Sequence, residues 1–388
     1  MKAEFLPGNK VTLLQSGAEY FPALVAAIDR AASDIYLETY IFADDDTGRR
    51  VAAALERASR RGVAVRVLVD GFGAREFPSG LGRELMQQGV EVLVFRPELG
   101  GPRWRRRRLR RLHRKLAVID GRVAFVGGIN VIDDMHTPHQ MPPRFDYAVA
   151  VEGPLLPAIH KAARHLWQLV RWATFHQRPS PPPSPPPPPK AGDMAAALLL
   201  RDNLRHRRDI EEAYLEAVAG ARREVVIACA YFLPGRQFRH ALMEAAGRGV
   251  EVILLLQGRV EYLLLRYASL ALYGALLKAG VRIFEYHKSF LHAKVAVADG
   301  HWATVGSSNI DPFSFLLARE ANVVVRHRGF AASLRESLSR AMADGAREVR
   351  LEDQVRRPRL SRLASWLAYS VVRAMIGMAS YGRRIYLE

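Results

Sequence analysis

The feature that most narrows the folds open to this chain is an internal duplication. Leu112-His113-Arg114-Lys115-Leu116-Ala117-Val118-Ile119-Asp120-Gly121 returns in register as Leu291-His292-Ala293-Lys294-Val295-Ala296-Val297-Ala298-Asp299-Gly300. Each copy continues at identical offsets to Gly127, Gly128 and Asn130 in the first case and Gly306, Ser307 and Asn309 in the second. The repeat reaches further back: residues 61–71 are answered by 248–258, and 89–95 by 280–286, each after a helical stretch. Alternating helices and short β-branched strands predict an α/β fold. We expect two α/β sandwich halves related by a pseudo-twofold axis, their mixed central sheets flanked by helices and packed about that axis.

At 388 residues the chain is long enough for such a doubled unit around one large core. The Pro-rich stretch near its middle cannot form helix or sheet and predicts a semi-rigid spacer. The expected organisation is therefore a first half over residues 1–177, a linker over 178–190, a second half over 191–350 and a basic, apolar tail over 351–388.

Side chains alternate across a strand, so His113 and Lys115 project from one face, as do His292 and Lys294. Asp120 and Asp299 have the opposite parity, which points to a structural place at the strand ends before Gly121 and Gly300. Displacement at a phosphodiester needs a nucleophile, an acid for the leaving alcohol and positive charge around the non-bridging oxygens. Two imidazoles and two ammonium groups can divide those tasks.

These segments resemble the two HxKxxxxD motifs of the phospholipase D superfamily, trailing glycines and asparagines included, and the likeness runs through most of residues 8–325. More narrowly, residues 35–42, 145–154 and 303–312 look like bacterial cardiolipin synthases of the short form, without N-terminal membrane helices. The resemblance implies one active site shared by both halves, with no metal and no cofactor. Its catalytic set would be His113, Lys115, Asp120, His292, Lys294 and Asp299, with Asn130, Asn309, Gly128 and Ser307 at the phosphate. Asp146 and Glu320 resemble the acidic residues that orient the histidines, and each is expected to serve the histidine it follows along the chain.

Fifty-seven Lys and Arg against 39 Asp and Glu give a net charge of +18, which favours an anionic partner. Seven arginines between Arg103 and Arg111 immediately precede the first motif and suit an anionic headgroup surface. Nucleic acid is disfavoured, because Trp104 is the only aromatic interleaved there for stacking. His136 and His139 read as loop residues rather than metal ligands. The apolar stretch 262–273 reads as a core helix. Residues 363–381 are apolar around a central Arg373, which favours a helix lying on a membrane over one crossing it. One buried-type cysteine, Cys229, and an N-terminus without the apolar core of a signal peptide suggest a reducing, cytoplasmic-side location.

Together these readings lead us to expect phosphatidyl transfer between two phosphatidylglycerol molecules through a phosphohistidine, at the periphery of the inner membrane. Hydrolysis of a phospholipid or nucleic acid phosphodiester is the rival chemistry. The oligomeric state is not legible.

Overall fold

The Asp-Gly pair that closes each repeated motif sets its local geometry. Asp120 and Asp299 adopt φ of 53° and 50°, and Gly121 and Gly300 follow at 61° and 66°. The Arg122 N–H meets the Ile119 carbonyl at 2.9 Å and the His301 N–H meets that of Ala298 at 3.2 Å. Both motif strands thus reverse through a type I′ turn, whose twist matches that of the strands it joins.

The computed structural model describes residues 3–97, 110–137, 140–175, 188–202, 206–260, 262–312, 314 and 317–379. The first half contains β1 (Leu6–Gln15), α1 (Ser16–Asp29), β2 (Asp34–Thr39), α2 (Asp46–Arg60), β3 (Ala64–Asp70), α3 (Leu81–Gln87) and β4 (Glu91–Phe95). It continues through β5 (Arg111–Leu112), β6 (Lys115–Ile119), β7 (Val123–Gly127), β8 (Arg144–Phe145), β9 (Tyr147–Glu152) and α4 (Leu156–Phe175). The second half repeats the order with β10 (Met194–Arg201), α5 (Asp209–Gly220), β11 (Glu224–Cys229), α6 (Arg236–Gly247), β12 (Glu251–Gln257), α7 (Leu263–Lys278) and β13 (Arg282–Tyr286). Then come β14 (Phe290–Leu291), β15 (Lys294–Ala298), β16 (Trp302–Gly306), β17 (Ala318–Arg326) and α8 (Arg328–Gly345). The chain ends in β18 (Ala346–Val349), α9 (Leu351–Val355) and α10 (Arg359–Ala379).

Among the described residues the two expected α/β halves join their sheets edge to edge into one large central sheet flanked by helices. Its order is β18-β13-β12-β11-β15-β16-β17-β10-β1-β9-β7-β6-β2-β3-β4. The seam is the antiparallel pairing of β1 with β10, Leu6 opposite Ala196 and Asn9 opposite Met194. It closes an edge that each half would otherwise leave open to aggregation. On either side of the seam the order is palindromic, which is how the pseudo-twofold relation appears in the topology.

Helices α1–α3 cover one face of the first half through residues such as Leu24, Leu55 and Leu85. Helices α5–α7 do the same for the second through Tyr214, Leu242 and Leu276. A third core runs through both halves and joins Leu112, Leu116 and Trp167 to Leu291, Val295 and Leu334. Burying both faces in this way makes the central strands nearly continuous apolar runs. Cys229 lies within β11, 1% exposed. Residues 176–187, which take in most of the expected linker, lie outside the described residues, as does the chain beyond residue 379.

Candidate active site

Two very short strands deliver the histidines. β5 runs parallel to the start of β17, pairing Arg111 with Ala318 and Leu112 with Arg319. β14 runs parallel to β8, pairing Phe290 with Arg144 and Leu291 with Phe145. Each bridge is extended by one hydrogen bond, from the His113 N–H to the Arg319 carbonyl at 3.0 Å and from the His292 N–H to that of Phe145 at 2.8 Å. The next residue on each partner strand is a carboxylate belonging to the opposite half.

The carboxylates are therefore exchanged between halves, contrary to the pairing expected from chain order. His113 Nδ1 lies 2.9 and 3.1 Å from the two oxygens of Glu320. His292 Nδ1 lies 2.6 Å from Asp146 Oδ2. Lys115 Nζ donates to the His113 carbonyl at 2.5 Å. Lys294 Nζ donates to the His292 carbonyl and sits 3.6 Å from Asp146. It is also 2.9 Å from His292 Nδ1, but the carboxylate can only accept, so the Nδ1 proton of a neutral ring belongs to Asp146.

Burial dominates the protonation of this cluster. It lowers His113, with Glu320 opposing and Lys115 assisting. It pushes His292 down to about 3, assisted by Lys294 and opposed by Asp146. Burial also brings Lys115 down to about 7 against the pull of Glu320, with Lys294 adding to the fall. Asp146 is raised by burial, yet Lys294 and His292 outweigh that and hold it below the usual carboxylate range. The site accordingly holds neutral imidazoles whose Nδ1–H groups face carboxylates, which leaves each Nε2 with its lone pair.

Asn130 accepts the Ile41 N–H on its carboxamide oxygen at 3.1 Å, and Asn309 accepts that of Tyr231 at 3.4 Å. Each thereby keeps its NH2 as the donor end. Gly128 and Ser307, expected at the phosphate, lie against the orienting carboxylates instead. A Cβ on Gly128 would fall 2.4 Å from Asp146 Oδ1. At the matching position Ser307 Oγ donates to Glu320 Oε2 at 2.5 Å. Asp120 and Asp299 lie at the strand ends, bonded to backbone away from the two imidazoles. At the far end of β6, Asp120 accepts the N–H groups of Ala32, Ser33 and Asp34 at 2.8, 2.7 and 3.0 Å. Asp299 accepts those of Arg222, Arg223 and Glu224 at 2.9, 2.8 and 3.0 Å.

Several contributors escaped the sequence reading. Arg114 forms a buried pair with Glu38, Nη2 to Oε1 at 2.6 Å, behind the first motif. Asp70 accepts the Leu112 N–H at 2.7 Å, and Gln257 accepts that of Leu291 at 3.2 Å. Both stand at matching positions of the repeated segments 61–71 and 248–258, and that register was the available signal. Tyr40 meets the His113 ring edge-on at 5.1 Å, and Lys115 Nζ lies 5.4 Å from the Tyr40 ring centre. A cavity of about 310 Å³, lined by Ala213, Glu216, Asp299 and Trp302, includes neither histidine nor either lysine of the site. The arginine run up to residue 109 and His139 lie outside the described residues.

Comparison with known proteins decides the family. The description "Cardiolipin synthase, PLD-like domain" matches twice, over residues 24–152 and 214–342. The chain belongs to the cardiolipin synthase family of phospholipase D-type enzymes. Cardiolipin synthase B of Escherichia coli K12 is 41% identical over 361 residues, covering 90% of this chain and 84% of that one. Cardiolipin synthase A of Pseudomonas putida KT2440 is 32% identical over 365 residues, covering 94% and 74%. A phosphatidylserine synthase structure from Haemophilus influenzae Rd KW20 shares the fold, with a TM-score of 0.69 at 14% identity over 96% of this chain and 95% of that one. In this cardiolipin synthase family member each matched copy contributes one histidine and the other histidine's carboxylate.

Proposed function

We propose that the enzyme moves a phosphatidyl group from one phosphatidylglycerol to another, yielding cardiolipin and glycerol. The observation that carries the reading is the exchange of Asp146 and Glu320 between halves, which joins both His-Lys pairs in one buried cluster. Family membership supplies the substrate class.

In the first step Nε2 of one histidine attacks phosphorus. A P–N bond forms, the P–O bond to glycerol breaks, and the other histidine gives its proton to the departing oxygen. That histidine starts neutral before substrate binds, and the negative charge of the bound phosphodiester favours its protonation. Lys115, Lys294 and the NH2 groups of Asn130 and Asn309 hold the non-bridging oxygens. In the second step a hydroxyl of another phosphatidylglycerol attacks phosphorus and returns a proton to the same histidine, and the P–N bond breaks. One phosphodiester replaces another with little net driving force, so excluding water decides transfer over hydrolysis. No described helix is long and apolar enough to cross a membrane; a phospholipid substrate is what sets the enzyme against a lipid surface.

Purified protein incubated with phosphatidylglycerol vesicles is expected to give cardiolipin and glycerol in equal amounts, resolved by mass spectrometry. His113→Ala and His292→Ala should each lower turnover by about 10³-fold or more. Phosphatidic acid without cardiolipin would overturn transfer, and activity surviving in either variant would overturn the shared site.

A further inference from the structure

Helix α10 carries three stripes, one of which is buried against the described residues. Ser365, Ala368 and Val372 are buried, the last two in the core that α7 completes. Leu360, Leu363, Leu367, Val371 and Met375 repeat at helical spacing on an exposed stripe, with Leu360 81% accessible. Arg359, Arg362 and Arg373 recur along a flank that also carries Trp366, 61% accessible. The helix has 21 residues and none of them is acidic. Tyr262, Leu263 and Leu264, at the start of α7, are exposed as well, and α10 packs against α7.

We propose that this face of the α7–α10 pair seats the enzyme on an anionic bilayer, with α10 lying in the plane of the interface. The idea rests on the lipid reading above and adds where the lipid surface meets the protein. Charge selects the occupant: an apolar stripe bordered only by arginine suits acyl chains beneath negative headgroups. A second copy docked by twofold symmetry would bring the same arginine flanks together. Position supports the same occupant. Tyr262, Leu265, Arg266, Ser269 and Gln257 line one small cleft, and Gln257 accepts the N–H of Leu291, the residue before His292. The start of α7 therefore shares a cleft with the residue that fixes the strand leading into His292.

The test uses the full chain and Leu363→Glu combined with Leu367→Glu and Val371→Glu, all on the exposed stripe. Co-sedimentation with phosphatidylglycerol vesicles should fall at least about ten-fold, while turnover of monomeric short-chain phosphatidylglycerol stays within about three-fold of the parent. Undiminished vesicle binding would overturn the proposal. So would concentration-dependent self-association of the parent that the triple variant abolishes while vesicle binding persists. A second measurement covers misfolding of the variant: brominated phosphatidylglycerol should quench parent fluorescence, and Trp366→Phe should remove most of that quenching. Equal quenching in both proteins would overturn the proposal independently. Failure of the synthase reading is distinguishable, since the parent would then make no cardiolipin from the monomeric lipid either.

Discussion

Two ammonium groups buried within reach of two carboxylates cannot both hold their protons as a lysine in water does. Lys115, brought to about 7 chiefly by burial, is cationic below that pH and neutral above it. If it holds a non-bridging oxygen, kcat/KM should fall as pH rises through about 7, because that ratio reports the free enzyme. A bound phosphodiester restores the proton, so the same limb in kcat should lie at higher pH. Lys115→Arg should make the fall in kcat/KM between about pH 7 and 9 one proton less steep, since guanidinium does not titrate there and the general-acid histidine alone then contributes. A flat parent profile from pH 6 to 9 would contradict this role. At this scale the two HxK pairs were legible because strand parity fixes their common face. The partner of each carboxylate was not, because chain order ties Asp146 to His113, whereas space ties it to His292. Ser307 misled for a related reason: its alignment with Gly128 was correct, but its hydroxyl is taken by Glu320.

Among the elements, the β6–β7 hairpin shows how a motif residue can matter without touching chemistry. Asp120 ties the turn to the start of β2 through three backbone N–H groups and the Ser33 hydroxyl. Asp120→Ala removes these charge-assisted bonds and puts alanine at positive φ, which should cost about 2–3 kcal/mol. Denaturant titration should register that loss, with kcat/KM per folded molecule within about three-fold of the parent. A hundred-fold fall in kcat/KM at unchanged stability would return Asp120 to the catalytic set. The turn was legible from its Asp-Gly pair. Strands β5 and β14 were not, for two residues are too few to show any periodicity. Yet these two bridges bring each histidine to the opposite half.

Across the whole molecule, the seam between β1 and β10, the core common to both halves and the exchanged carboxylates all resist separation. A protease site inserted at Ser184, once cut, should leave a single particle on size exclusion that retains most of its turnover. Dissociation into two fragments on cutting would show that the covalent linker, not the seam, holds the halves. The sequence announced two related halves through its repeats, but the joining of their edges into one sheet depends on which strands lie outermost, and hydrophobic patterning does not encode that.

Gene doubling usually leaves a spare, free to decay or drift while the original carries on. Here the trade of acidic side chains abolishes that redundancy: damage to either copy disarms the histidine of its twin, so neither copy can shelter the other and both must change together or not at all.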